Sequence, residues 1–200
     1  MTSIPGIVKT RKFQVISAAV VAAGAVAAVV PAVGASASPT TAAARAASAA
    51  APAHCATSAL EVWLGTPGDG SAGHVAYELE MSNISKSSCT LYGYPGVSAY
   101  GPGIVQYGQP AGRSAADPEK TVTLAPGATA HVLLTIADVS VYPPSTCGAK
   151  NAVGLKVYPP NDTTAQDVPL NLAACSNKKG PVYMTVRPTV AGAGIPGYSF

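Results

Sequence analysis

The chain has 200 residues, 48% hydrophobic and 10% charged, with 12 Lys and Arg against 9 Asp and Glu. Three of those bases, Lys9, Arg11 and Lys12, belong to an export pattern at the amino terminus, so 12 less three leaves nine of each sign in the remainder. With no net charge and no basic cluster beyond Lys178-Lys179, the electrostatic footprint of a nucleic-acid binder is missing, and a polyanionic partner is not expected.

In chain order, the three bases precede an apolar stretch over residues 13–33 and the small-residue triplet Ala35-Ser36-Ala37. This is the pattern of a secretory signal peptide over residues 1–37, cleaved after Ala37. The stretch is also long enough for a retained anchor, but Ala and Gly dominate it and Pro31 interrupts it, which favours cleavage. The Lys9-Thr10-Arg11-Lys12 string lacks a twin-arginine pair, and Cys55 lies too far downstream to carry a lipid. Residues 38–54 are almost wholly Ala, Ser, Thr and Pro, with too little large apolar surface to offset ordering entropy; they read as a flexible tether.

Residues 55–188 are of a size for one domain with one core. Gly and Pro punctuate them every eight to twelve residues or so, with period-two alternation between, the signature of an all-β sandwich. A first strand faces Leu60, Val62 and Leu64 inward, with Glu61 and Trp63 opposite. A second has Val75, Tyr77, Leu79 and Met81 on the core side and His74, Ala76, Glu78, Glu80 and Ser82 on a wet side. Later inward sets are Ala130, Val132, Leu134 and Ile136; Val153, Leu155 and Val157; and Val182, Met184 and Val186. Seven to nine short strands result. Leu124-Ala125-Pro126-Gly127-Ala128 reads as a type II turn, Tyr94-Pro95-Gly96 repeats the device, and Pro159-Pro160-Asn161-Asp162 closes a later hairpin. Residues 189–200 form a Gly-rich carboxy-terminal tail.

The four cysteines are Cys55, Cys89, Cys147 and Cys175. The first and second are symmetric about the loop before His74, and the third and fourth about the turn at Pro160-Asn161, so each pair sits across a hairpin at disulfide distance. Cys55 with Cys89 and Cys147 with Cys175 is the expected pairing among three possible. Each bridge closes a loop worth roughly 3.5 kcal/mol in the chain-entropy picture. A zinc site would need paired C-x-x-C spacing, which is lacking.

Together, Ala72-Gly73-His74, Asn83, Cys89-Thr90-Leu91, Gly93-Tyr94-Pro95-Gly96-Val97, Leu124-Ala125-Pro126-Gly127, Leu155 with Val157-Tyr158-Pro159-Pro160, Cys175 and Val186-Arg187-Pro188 resemble the actinobacterial secreted domain of unknown function numbered family 4232. The resemblance implies an exported immunoglobulin-like antiparallel β-sandwich and supplies no catalytic or binding residues. Many relatives carry a lipid anchor, from which this chain departs.

No constellation for catalysis or a cofactor is present. Gly96-Val97-Ser98-Ala99-Tyr100 fails the nucleophile-elbow pattern at its last position. His74 and His131 fall on outward strand phases; His131 with Asp138 is the one weak triad candidate, and His74, Glu78 and Glu80 the one weak metal set, each read as solvated surface. Trp63, Tyr158 and Tyr183 fall on outward phases and are candidate ligand contacts, since outward rings stack on sugars or anchor partners. The expectation is a secreted, monomeric, non-enzymatic module of the extracellular space or cell wall, without cofactor or metal and off the membrane once the signal is removed. Its partner would be a wall polymer or another exported protein. The alternatives are a protease inhibitor presenting Tyr142-Pro143-Pro144-Ser145-Thr146 beside Cys147 and, last, a hydrolase.

Overall fold

The computed structural model describes residues 51–71 and 73–194. The signal segment, the tether up to residue 50 and residues 195–200 of the tail lie outside the described residues. The domain is all-β, with strands β1 (Leu60–Ser71), β2 (His74–Asn83), β3 (Cys89–Tyr92), β4 (Gly96–Gly101), β5 (Val105–Tyr107), β6 (Gly112–Arg113), β7 (Thr121–Leu124), β8 (Thr129–Ala137), β9 (Ala149–Tyr158), β10 (Gln166–Cys175), β11 (Met184–Val186) and β12 (Val190–Ala191). Eight of these twelve exceed three residues, in line with the seven to nine expected, and helix is confined to the turn α1 (Pro144–Cys147) and short 3-10 segments.

One sheet has the order β1-β2-β8-β11-β6, with β12 also paired to β8; a second runs β10-β9-β4-β5; β3 and β7 pair with each other. All these contacts are antiparallel except β11 with β6. The two larger sheets pack over one core, to which the first contributes Leu60, Leu79, Met81, Val132 and Leu134 and the second Val97, Ala99, Leu155, Val157 and Val168. Leu91, Val122 and Leu124 of the β3–β7 pair join the same cluster. Each such aliphatic side chain, fully buried, stabilises the fold by about 1.5–3 kcal/mol before chain entropy is counted.

Polar side chains fasten the seam between the sheets. Gln166, at the start of β10, donates from Nε2 to the carbonyls of Thr57 (2.8 Å) and Leu60 (2.6 Å) and accepts at Oε1 from the Val62 N–H (3.0 Å). Asp162 accepts from both the N–H and the hydroxyl of Thr57, at 2.8 Å each. The Thr164 N–H first, then those two Thr57 donors and the Thr163 N–H, hold its carboxyl well below the usual carboxylate range.

Both disulfides form as expected, with Cα separations of 4.9 Å for Cys55–Cys89 and 4.5 Å for Cys147–Cys175. The first ties the segment before β1 to β3, where Cys55 N–H also donates to Thr90. The second closes the open end of the β9–β10 hairpin, whose last pair is Ala149 with Cys175.

Several finer expectations are corrected. Both faces of β2 and β8 are covered at mid-strand: Ala76, Glu78, Glu80, His131 and Leu133 are buried although period two puts them on the wet side. Val153 is 40% exposed and its neighbour Ala152 is buried, because β10 carries an extra residue opposite this point, between Pro169 and Leu172. Val182 is exposed ahead of β11, which starts at Met184. The type II turn stands, with Gly127 at φ 77° and the Ala128 N–H on the Ala125 carbonyl, but β7 pairs with β3 and so the turn bridges two sheets. In Gly93-Tyr94-Pro95-Gly96 the positive φ, 88°, belongs to Gly93, and Gly96 is extended as the first residue of β4. The six-stranded sheet also runs past residue 188 through β12, so the start of the tail is part of the fold.

Candidate functional site

The outer face of the four-stranded sheet offers the most organised surface. Along β4 and β9 the pairs are Gly96 with Tyr158, Ser98 with Lys156, and Tyr100 with Gly154, so two tyrosines lie diagonally across one ladder, each opposite a glycine. A methyl group at Gly154 would overlap the Tyr100 ring, and one at Gly96 would sit 3.4–3.8 Å from the first atoms of the Tyr158 side chain. Tyr100 is thus laid across the sheet, half-buried, where a Cβ at Gly154 would otherwise stand, and Tyr158, also half-buried, lies at ordinary contact distance from the Gly96 position. The four positions from Gly96 to Tyr100 separate the two glycine seats by about 13 Å. Ser98 is buried between the rings, and Lys156 pairs with Asp167 of β10 at 3.6 Å. The result is two aromatic plates with a charged and hydroxylic strip between them.

The β4–β5 hairpin prolongs this face. Ile104 adopts φ 60° directly after Gly103 at φ 74°, and Ile104 and Val105 are both exposed. A β-branched residue in the left-handed region is strained, and such strain concentrates at functional turns.

The three aromatic candidates do not share a surface. Trp63 lies on the outer face of the other sheet, 41% exposed, its Nε1–H donating to Ser82 Oγ at 3.2 Å. Tyr158 lies on the face just described. Tyr183 is 2% exposed, its hydroxyl has no hydrogen-bond partner among the described residues, and burial pushes its pKa up to about 12; it is a core ring, contrary to its outward phase. Tyr100 was not among the aromatic candidates that sequence reasoning named. Its signal was present in the spacing of Tyr100 and Tyr158 from glycines that a sheet pairing would bring opposite them.

The catalytic and metal candidates separate as well. His131 and Asp138 are seven positions apart along extended chain, about 23 Å, so they cannot act on one atom. His131 is 5% exposed with Nδ1 2.7 Å from the Gly192 carbonyl, and Asp138 accepts from the Ser140 N–H at 2.9 Å. His74 is exposed whereas Glu78 and Glu80 are buried, and among the described residues no three His, Cys, Asp or Glu side chains gather as a metal site. A cleft of about 490 Å³ opens beside His74, Tyr77, Asp138 and Asn171, and no serine, threonine, cysteine or lysine is among its described lining residues. No helix among the described residues is long and apolar enough to cross a membrane.

No curated protein matches the chain. The profile of one family, the domain of unknown function DUF4232, matches residues 55–190, which contain both disulfides and nearly every strand described above. The chain belongs to that family.

Proposed function

We propose that the protein is an exported, non-catalytic binding module of the cell envelope, and that it holds a saccharide polymer of the wall on the outer face of its four-stranded sheet. The amino-terminal export pattern and two oxidised disulfides support a destination outside the reducing cytosol. The observation that carries the binding reading is the pair of tyrosines placed opposite Gly154 and Gly96 on one sheet face, Tyr100 lying over Gly154. An aromatic face carries negative quadrupole charge and attracts the C–H groups of a sugar ring, while Lys156 and Asp167 supply hydrogen bonds to hydroxyls between two such contacts.

The inhibitor reading has less support. The segment proposed as its loop is folded into a helical turn, with the N–H groups of Thr146 and Cys147 both donating to the Pro143 carbonyl at 3.0 Å. A protease cleft takes extended backbone as an added strand, and this turn does not offer it.

Co-sedimentation of the purified domain with isolated cell wall tests the proposal. Retention is expected, and it should fall about tenfold, near 1.4 kcal/mol, when Tyr100 and Tyr158 are both changed to Ala. Trp63→Ala should leave it unchanged. Retention insensitive to both tyrosines, or binding only to a co-purifying protein, would contradict the assignment.

A further inference from the structure

The outer face of the six-stranded sheet holds a second organised feature, independent of the tyrosine face. Trp63 of β1 stands opposite Glu80 of β2, Glu80 opposite His131 of β8, and His131 opposite Val190 of β12, in one cross-strand row. Beyond Ala191 the chain turns at Gly192, φ 97°, and crosses that row from β8 toward β2. The Gly192 carbonyl meets His131 Nδ1 at 2.7 Å, and the Gly194 N–H donates to Glu80 Oε1 at 2.8 Å. The crossing segment, Gly192-Ala193-Gly194, has no ionisable side chain.

Glu80 is 1% exposed, and its second oxygen, Oε2, is buried with no hydrogen-bond partner among the described residues. A buried carboxylate usually keeps its charge by accepting two or three N–H bonds; among the described residues this one accepts a single bond, from Gly194. The ionisable groups facing it are Glu78, two positions away on the same face of β2, and His131 on β8. Glu61 of β1 is exposed one row further along, and β12 contributes none.

We propose that residues 192 to 194 form a proton-operated strap, closed over Glu80 in acid and loosened as that carboxylate ionises. Closure takes an under-bonded carboxylate out of water, and opening rehydrates it. A proton therefore binds better to the closed form, and by linkage protons favour closure. Consistent with this, burial raises the Glu80 pKa and the Glu78 charge acts in the same direction, against the opposing pull of the Gly194 N–H and His131. Opening would uncover the Trp63–Glu80–His131 row as a second face.

Hydrogen-exchange protection of the Gly194 and Gly192 amides, read by NMR in the folded chain, tests the strap; the Gly192 amide is held by the Thr129 carbonyl at 2.9 Å. After correction for intrinsic exchange, protection should fall from about pH 4 to about pH 8, by about tenfold for each pK unit that closure adds to Glu80. Glu80→Gln, of the same shape and always neutral, should keep both amides protected across that range. Glu78→Gln should shift the midpoint to lower pH. Protection that does not vary with pH in the native chain, or a pH dependence that survives Glu80→Gln and vanishes in His131→Gln, would overturn the proposal.

Discussion

Gln166 shows how much one side chain contributes when it links two sheets. Its amide bonds the Leu60 carbonyl and the Val62 N–H at the start of β1, on the side away from β2, and adds a second donor to the Thr57 carbonyl, which also accepts from the Leu60 N–H. Gln166→Ala leaves the Val62 N–H and the Leu60 carbonyl to find other partners at a half-buried seam, and should lower unfolding stability by about 2 kcal/mol in urea titration. Asp162 acts on the same segment through charge. Its pKa is depressed on folding, so its contribution is complete above the ordinary carboxylate pKa and is lost as pH falls toward the depressed folded value. Asp162→Asn should therefore flatten the acid limb of the stability profile below about pH 4 and change little relative to the native chain's pH dependence near neutrality. Neither role was legible in the sequence. Asp162 read there only as part of a turn and Gln166 was not singled out, because their partners lie more than a hundred positions away at Thr57, Leu60 and Val62. Asn83 is similar: fully buried, its Nδ2 donates to the carbonyls of Ser87 and Leu124, contacts that a string of residue types does not encode.

At the scale of strands, alternation located β1, β2, β8 and β9 and the core-side residues of most of them, because one face of each packs on a single apolar core. It failed where a second layer arrives from far along the chain. His131 and Leu133 of β8 and Glu80 of β2 lie on the face that period two marks as wet, and what covers Glu80 and His131 includes residues 192 to 194. Val153 failed for a different reason, the extra residue in β10, which no pattern within β9 reveals. The β4–β9 ladder carries its own prediction. Gly154→Ala puts a methyl group where the Tyr100 ring lies and forces the ring off the sheet. Thermal stability should drop modestly, by about 1 kcal/mol, while retention on wall material should fall as far as it does in Tyr100→Ala. Gly127→Ala, at a turn remote from β4 and β9 in sequence, is the control that lowers stability through its φ of 77° without touching retention.

For the molecule as a whole, the cysteine spacing was the most informative part of the sequence. Symmetry about two hairpin turns gave both pairings, and the structure places each bridge at the base of a ribbon or beside one. Replacing Cys147 and Cys175 together with Ala should lower stability by about 3 kcal/mol and leave the fold intact, seen as an unchanged circular dichroism spectrum with a lower urea midpoint. The binding face was legible only in part. The sequence offered outward aromatics without saying which shared a face, and pairing separated Trp63 from Tyr158, sent Tyr183 into the core and put Tyr100 on the same sheet face as Tyr158. Saccharide binding depends on that shared face, and the decisive measurement is an NMR titration of the domain with soluble fragments of wall polysaccharide. Shift changes confined to β4, β9 and the hairpin around Ile104, with the largest at Tyr100 and Tyr158, are the predicted result. Changes centred on Trp63, or none at saturating fragment, would contradict it.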